Sequence, residues 1–150
     1  MKKNLLDAGC CAAVISRMEK LNPGTQALWG SMTATEMLAH CNKVHEGLLS
    51  GATQPQSTSA KQYLLRFFVL YVLPGYPKGA KAPKRFITKG QISDAEFTDQ
   101  KNAFIALMKR LAHHQAPIQL QHPYFGGLST KQWGLSAYKH VDHHLRQFGV

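Results

Sequence analysis

Apolar positions recur with helical spacing along five stretches of this chain, separated by polar or Pro/Gly-containing segments. The first stretch runs from about Asp7 to Leu21 and is stopped by Asn22-Pro23-Gly24. The second, about Ala34 to Ser50, carries the stripe Met37, Cys41, Val44 and Leu48. The third, about Ala60 to Leu73, contains the most apolar run of the chain, Tyr63 to Leu73, and ends at Pro74-Gly75. The fourth spans about Asp94 to His113, and the last about Thr130 to Phe148.

Three of these starts are written in the same way. Thr33 with Glu36, Ser93 with Glu96 and Ser129 with Gln132 are capping boxes. In each, the hydroxyl can accept from a first-turn N–H, and the Glu or Gln can reach back to the cap residue's own N–H. An apolar pair brackets each box: Met32 and Met37, Ile92 and Phe97, Leu128 and Trp133. Such a pair fixes the angle at which the chain enters the helix.

No sustained strand pattern is present; Ile118 to Gln121 alternates but is short. Long helices joined by turns predict an all-α protein. The expected form is an antiparallel four-helix bundle with one additional short helix or long loop, a single domain over residues 1–150. A chain of this length buries a core without disulfides or metals as staples.

Composition narrows the setting. The three cysteines, Cys10, Cys11 and Cys41, are odd in number and form no metal knuckle, which predicts reduced thiols and a cytoplasmic protein. Asp7 interrupts the N-terminal apolar stretch too early for a signal peptide. The run Tyr63–Leu73 contains Arg66 and falls far short of the roughly 20 residues that span a bilayer, so it predicts a buried helix. Contact with a membrane surface and a homodimer through this helix are the alternatives.

Net charge is +10, which favours anionic partners. The segment 78–89 holds Lys78, Lys81, Lys84, Arg85 and Lys89 without an acid: a solvated loop or an anion-attracting lip. Nucleic acid would fit the charge, but no helix-turn-helix, zinc-finger spacing or aromatic-basic platform accompanies it.

Eight histidines carry the candidate chemistry. His140 and His144 are four apart, so their imidazoles share a helix face and can reach one cation. The stripe Trp133, Ala137, His140, His144 and Phe148 turns that face inward. His143 lies about 60° from His140 on the helical wheel, nearer the rim. His40 sits at the margin of the second helix's stripe and is a candidate third ligand. His45, about 140° from His40, is expected to be exposed. His113 and His114 fall at a helix end, where imidazolium suits the dipole. Cys41 reads as a small buried hydrophobe, Glu36 as a cap, and Asp142 points about 160° away from His140.

The stretches Leu28–Thr33, Glu36–Cys41, His122–Gly126 and Tyr138–Phe148 resemble the DinB-like four-helix-bundle superfamily, and within it a bacterial branch known only as a domain of unknown function. The resemblance covers the chain from about Arg17 onward. It implies a divalent metal site made by His40 on the second helix and the His140/His144 pair on the last. Histidine ligands suit zinc or nickel, with iron as an alternative. The resemblance further implies a metal-dependent enzyme acting on a small-molecule substrate, such as a thiol S-transferase using a low-molecular-weight thiol; the metal chemistry itself also allows a hydrolase, with water in the thiol's place. A non-catalytic metal- or anion-binding module linked to stress is the second reading.

Overall fold

The computed structural model describes residues 3–79 and 83–150. The chain is mostly helical: α1 (Ala8–Met18), α2 (Ala34–Leu49), α3 (Ala60–Phe67), α4 (Phe97–Ala112) and α5 (Thr130–Gln147). A small hairpin, β1 (Gln121–His122) and β2 (Gly126–Gly127), precedes α5. It pairs antiparallel, with Gln121 opposite Gly127. Gly126 turns it at φ 72°, a backbone state that disfavours any side chain. The alternation at Ile118–Gln121 thus leads into a real but minimal strand.

The expected caps form. Thr33, Ser93 and Ser129 each close a two-way capping box, and Ser59 with Gln62 makes a fourth at the start of α3. Asp7 caps α1 by accepting from the Cys10 N–H at 2.8 Å. After Ser93 the chain first takes a 3-10 turn, Asp94–Glu96, before α4 settles into α-geometry.

The core follows the helical periods. Cys11, Val14 and Met18 of α1 face Phe104, Met108 and Leu111 of α4, and all are buried. α2 packs against both α4 and α5, so its burial wraps around the helix: 11 of its 16 residues are buried, including Thr35, Glu36 and Asn42. The N-terminal segment crosses α5 at Gly134, where the Leu5 N–H donates to the Gly134 carbonyl at 3.1 Å. A Cβ at Gly134 would lie 1.9 Å from the Asn4 Oδ1, so this crossing requires glycine.

The run Tyr63–Leu73 departs from expectation. It is neither one regular helix nor buried. α3 gives way to a π-helical turn, Phe68–Val72, and only Val69 and Leu70 are buried. The reason is that α1, α2, α4 and α5 bury one another, so α3 lies outside them: its π-turn packs against α5, and its Arg66 guanidinium donates to the Gly127 carbonyl at 2.6 Å. The Lys139 ammonium, from α5, donates to the carbonyls of Val69 and Leu73 and so satisfies two carbonyls at the end of that turn.

Candidate metal centre

α2 and α5 bring three of the eight histidines together. The ligand atoms of His40, His140 and His144 all lie within 4.8 Å of one another, and this cluster could hold a metal ion. His40 and His140 meet most closely, Nε2 to Nε2, at 2.9 Å. The ring centroids of His140 and His144 are 4.8 Å apart.

The outer nitrogens of two rings are pinned by acceptors. The Nδ1 of His40 lies 2.7 Å from the Phe86 carbonyl oxygen, which can only accept, so His40 carries its proton on Nδ1. The Gln147 amide NH2 donates to the Trp29 carbonyl at 2.7 Å, which turns its Oε1 toward the Nδ1–H of His144 at 2.9 Å. Both rings therefore present Nε2 lone pairs inward. A lone pair on His40 Nε2 facing another ring nitrogen at 2.9 Å requires a proton or a cation between them. Among the described residues, the Nδ1 of His140 is buried without a hydrogen-bond partner.

Electrostatics keep the rings neutral, the state a metal ligand needs. Burial pushes His144 down to about 3, with His40 adding to the shift. Burial, then the neighbouring His144 and His40, hold His140 well below the ordinary imidazole value. Burial lowers His40 as well. Tetrahedral zinc would want its nitrogens about 3.3 Å apart, from Zn–N bonds of about 2.0–2.1 Å. The donor set and its pinned tautomers fit a divalent cation once the His40–His140 pair opens slightly and His144 adjusts toward it.

The cluster lines a cavity of about 860 Å³. Its walls are largely apolar, with Val69, Phe125 and Trp133 among them, and Arg85 and Lys89 at its basic part. No Asp or Glu lines it among the described residues. The Tyr76 hydroxyl pairs with the Ser136 hydroxyl at 2.7 Å on this wall, and burial pushes the phenol up to about 12. His122 stacks on Phe125 at 4.2 Å, and its Nδ1 accepts from the Tyr124 and Phe125 N–H groups.

The remaining expectations sort clearly. His143 is half-buried at the rim, with Nδ1 at 3.2 Å from the Tyr76 carbonyl and its ring edge-on to Trp29. Glu36 caps α2 and also accepts from the Gly90 N–H, while its carbonyl accepts from the Thr88 hydroxyl at 2.7 Å. That ties the segment carrying Phe86 to α2 and so steadies His40. Asp142 is engaged by Arg17 and Arg146, away from the cluster. Cys41 is fully buried, and burial raises its thiol, so it is no thiolate. His113 closes the end of α4.

His45 corrects its expectation: it is wholly buried, not exposed. The wheel argument gave α2 a single inner face, whereas α4 covers the side on which His45 lies, with Phe104 beside it at 6.0 Å between ring centroids. In the basic segment, Lys78 lies over the Trp29 ring at 4.1 Å and Lys89 donates to Ser31, while Lys81 lies outside the described residues. Sequence reasoning missed Gln147 and the Phe86 carbonyl. Gln147 had a signal, three residues after His144; a backbone carbonyl 46 residues away had none.

No described helix is long and apolar enough to cross a membrane. No curated protein and no solved structure matches the chain. One family model does match, over residues 2–149, and its description is a protein of unknown function. With nearly the whole chain covered, the protein belongs to the DUF1569 family.

Proposed function

We propose that this protein binds one divalent metal ion through His40, His140 and His144 and acts as a metalloenzyme on a small molecule held in the adjoining cavity. In this reading α1, α2, α4 and α5 form a DinB-like antiparallel four-helix bundle, with α3 as the additional helix. The observation that carries the reading is the 2.9 Å approach of two Nε2 atoms, one of them a pinned lone pair, beside a third pinned ring. Three neutral histidines leave coordination positions open, the pattern of catalytic rather than structural sites. Imidazole donors suit zinc, nickel or iron.

A divalent cation held there lowers the pKa of a thiol or a water placed beside it. The chain's own residues do the rest. Gln147 and the Phe86 carbonyl orient the ligand rings. Tyr76 and Ser136 offer hydroxyls on the cavity wall, and the raised phenol stays protonated at neutral pH. Phe125 and Trp133 give the cavity an apolar wall against which the apolar part of a substrate would pack. A low-molecular-weight thiol as co-substrate, and hence S-transfer, rests on the resemblance to DinB-like proteins; water in its place would make the enzyme a hydrolase.

Metal analysis of the purified protein tests the site. Wild type should carry one equivalent of a divalent metal, and His140→Ala and His144→Ala should each lose it. Unchanged content in both variants refutes the three-histidine site. Titrating cobalt-substituted protein with small thiols tests the chemistry: a thiolate-to-metal absorption band supports S-transfer, and its absence removes the thiol.

A further inference from the structure

The outer face of α3 and its π-turn carries a group of exposed apolar side chains that the metal centre does not use. Tyr63, Leu64, Phe67, Phe68 and Val72 are exposed by 61%, 59%, 49%, 45% and 56%. At about 100° per residue Tyr63, Phe67, Leu64 and Phe68 fall within about 140° of the α3 surface, and Val72 of the π-turn is exposed with them, whereas Val69 and Leu70 are buried. The rings also touch one another: Phe67 meets Phe68 at 5.7 Å and Tyr71 at 6.0 Å. A contiguous apolar face of this kind marks an interaction site.

Charge identifies the occupant. From Gly47 to Ser93 the sequence holds Lys61, Arg66, Lys78, Lys81, Lys84, Arg85 and Lys89 and no Asp or Glu. Lys61 and Arg66 lie on α3 itself, and Arg66 spreads over the Tyr63 ring at 4.7 Å. A second copy of the chain docked on this face would bring two such cationic segments together within a pair of chains that each carry +10. An anionic lipid surface does the reverse. It takes aromatic and aliphatic side chains into the headgroup boundary and attracts the basic ones around them.

We infer that α3 and its π-turn seat the protein on an anionic membrane surface, with Tyr63, Leu64, Phe67, Phe68 and Val72 entering the interface and Lys61, on the same helix, contacting headgroups. The helix lies on the bilayer and does not cross it. The seat is independent of the metal: the inner residues of the same segment, Leu65 and Val69, wall the cavity, and the outer ones do not.

Sedimentation of the full-length protein with vesicles tests this. Vesicles of phosphatidylcholine are compared with vesicles containing about one-third phosphatidylserine, which supply the surface potential that attracts basic residues. Binding to the anionic vesicles should exceed binding to the neutral ones by about tenfold or more and should weaken as salt is raised. Phe67→Glu with Phe68→Glu should abolish it, with the helical circular dichroism unchanged because both residues are exposed. Lys61→Glu should lower it by about fivefold or more. His140→Ala should bind vesicles as wild type does, which separates this result from the fate of the metal site. No sedimentation with anionic vesicles, equal sedimentation with neutral ones, or self-association in ultracentrifugation that Phe67→Glu dissolves would each overturn the inference.

Discussion

His45 offers a direct measure of how the interior is built. Its ring is wholly buried, and neither nitrogen has a hydrogen-bond partner among the described residues. Burial, with a smaller contribution from His40, pushes it down to about 3 from an ordinary value of 6.5. Above pH 6.5 the ring is neutral in both the folded and the unfolded chain. As pH falls below 6.5 the unfolded chain takes up a proton that the folded chain refuses, so stability is lost progressively toward pH 3. One such proton is worth about 1.4 kcal/mol per pH unit, or about 3 kcal/mol between pH 6.5 and pH 4.5. His45→Phe removes the titrating group and leaves a ring of similar shape beside Phe104. At neutral pH it also removes an unsatisfied buried polar group, a penalty of about 1–3 kcal/mol, offset in part by a slightly tighter fit. Urea unfolding at a series of pH values, with a chelator present to remove metal, reads both effects. The variant should be as stable as wild type or more so near pH 7.5, and its stability should fall less steeply with acid, by about one proton. Equal pH slopes for the two proteins would show that His45 is solvated or protonated in the fold, and the burial argument would fail.

Gln147→Leu should weaken divalent metal binding about 10- to 100-fold in a chelator competition while leaving the three ligands in place, because it removes the acceptor that orients His144. Gly30→Ala should destabilise the protein by about 1 kcal/mol or more in urea unfolding, since φ is 81° there and an added Cβ would come within 2.5 Å of the Gln147 amide nitrogen. Phe104→Ala should cost about 3–5 kcal/mol in the same assay, as the largest wholly buried side chain of the core. If the site binds zinc, free zinc at about a hundred times its dissociation constant should raise unfolding stability by about 2.7 kcal/mol in wild type and not in His144→Ala.

Much of the architecture was legible before any coordinates, because helix ends are local chemistry. A hydroxyl at the cap and a Glu or Gln three residues on leave their mark within four residues, and all three boxes read from the sequence form. The box at Ser59 and Gln62 obeys the same rule and was equally readable. The pair His140 and His144 was legible for a similar reason, since i, i+4 spacing is set by the helix itself. Burial was harder. The wheel can say which residues share a face, but not how many faces a helix must hide. That is why His45 and the run Tyr63–Leu73 were both misplaced, in opposite directions.

The sequence by itself determined the helical segments, their caps, the shared face of His140 and His144, and the unopposed positive charge from Gly47 to Ser93. Only the tertiary structure decided that α2 is covered on two sides and α3 on one, and that His40 Nε2 comes within 2.9 Å of His140. It alone supplied the Phe86 carbonyl that sets the His40 tautomer. The division has one physical cause. Backbone hydrogen bonding and capping act over a few residues, whereas burial and ring-to-ring approach depend on segments a hundred residues apart that meet only when the core closes.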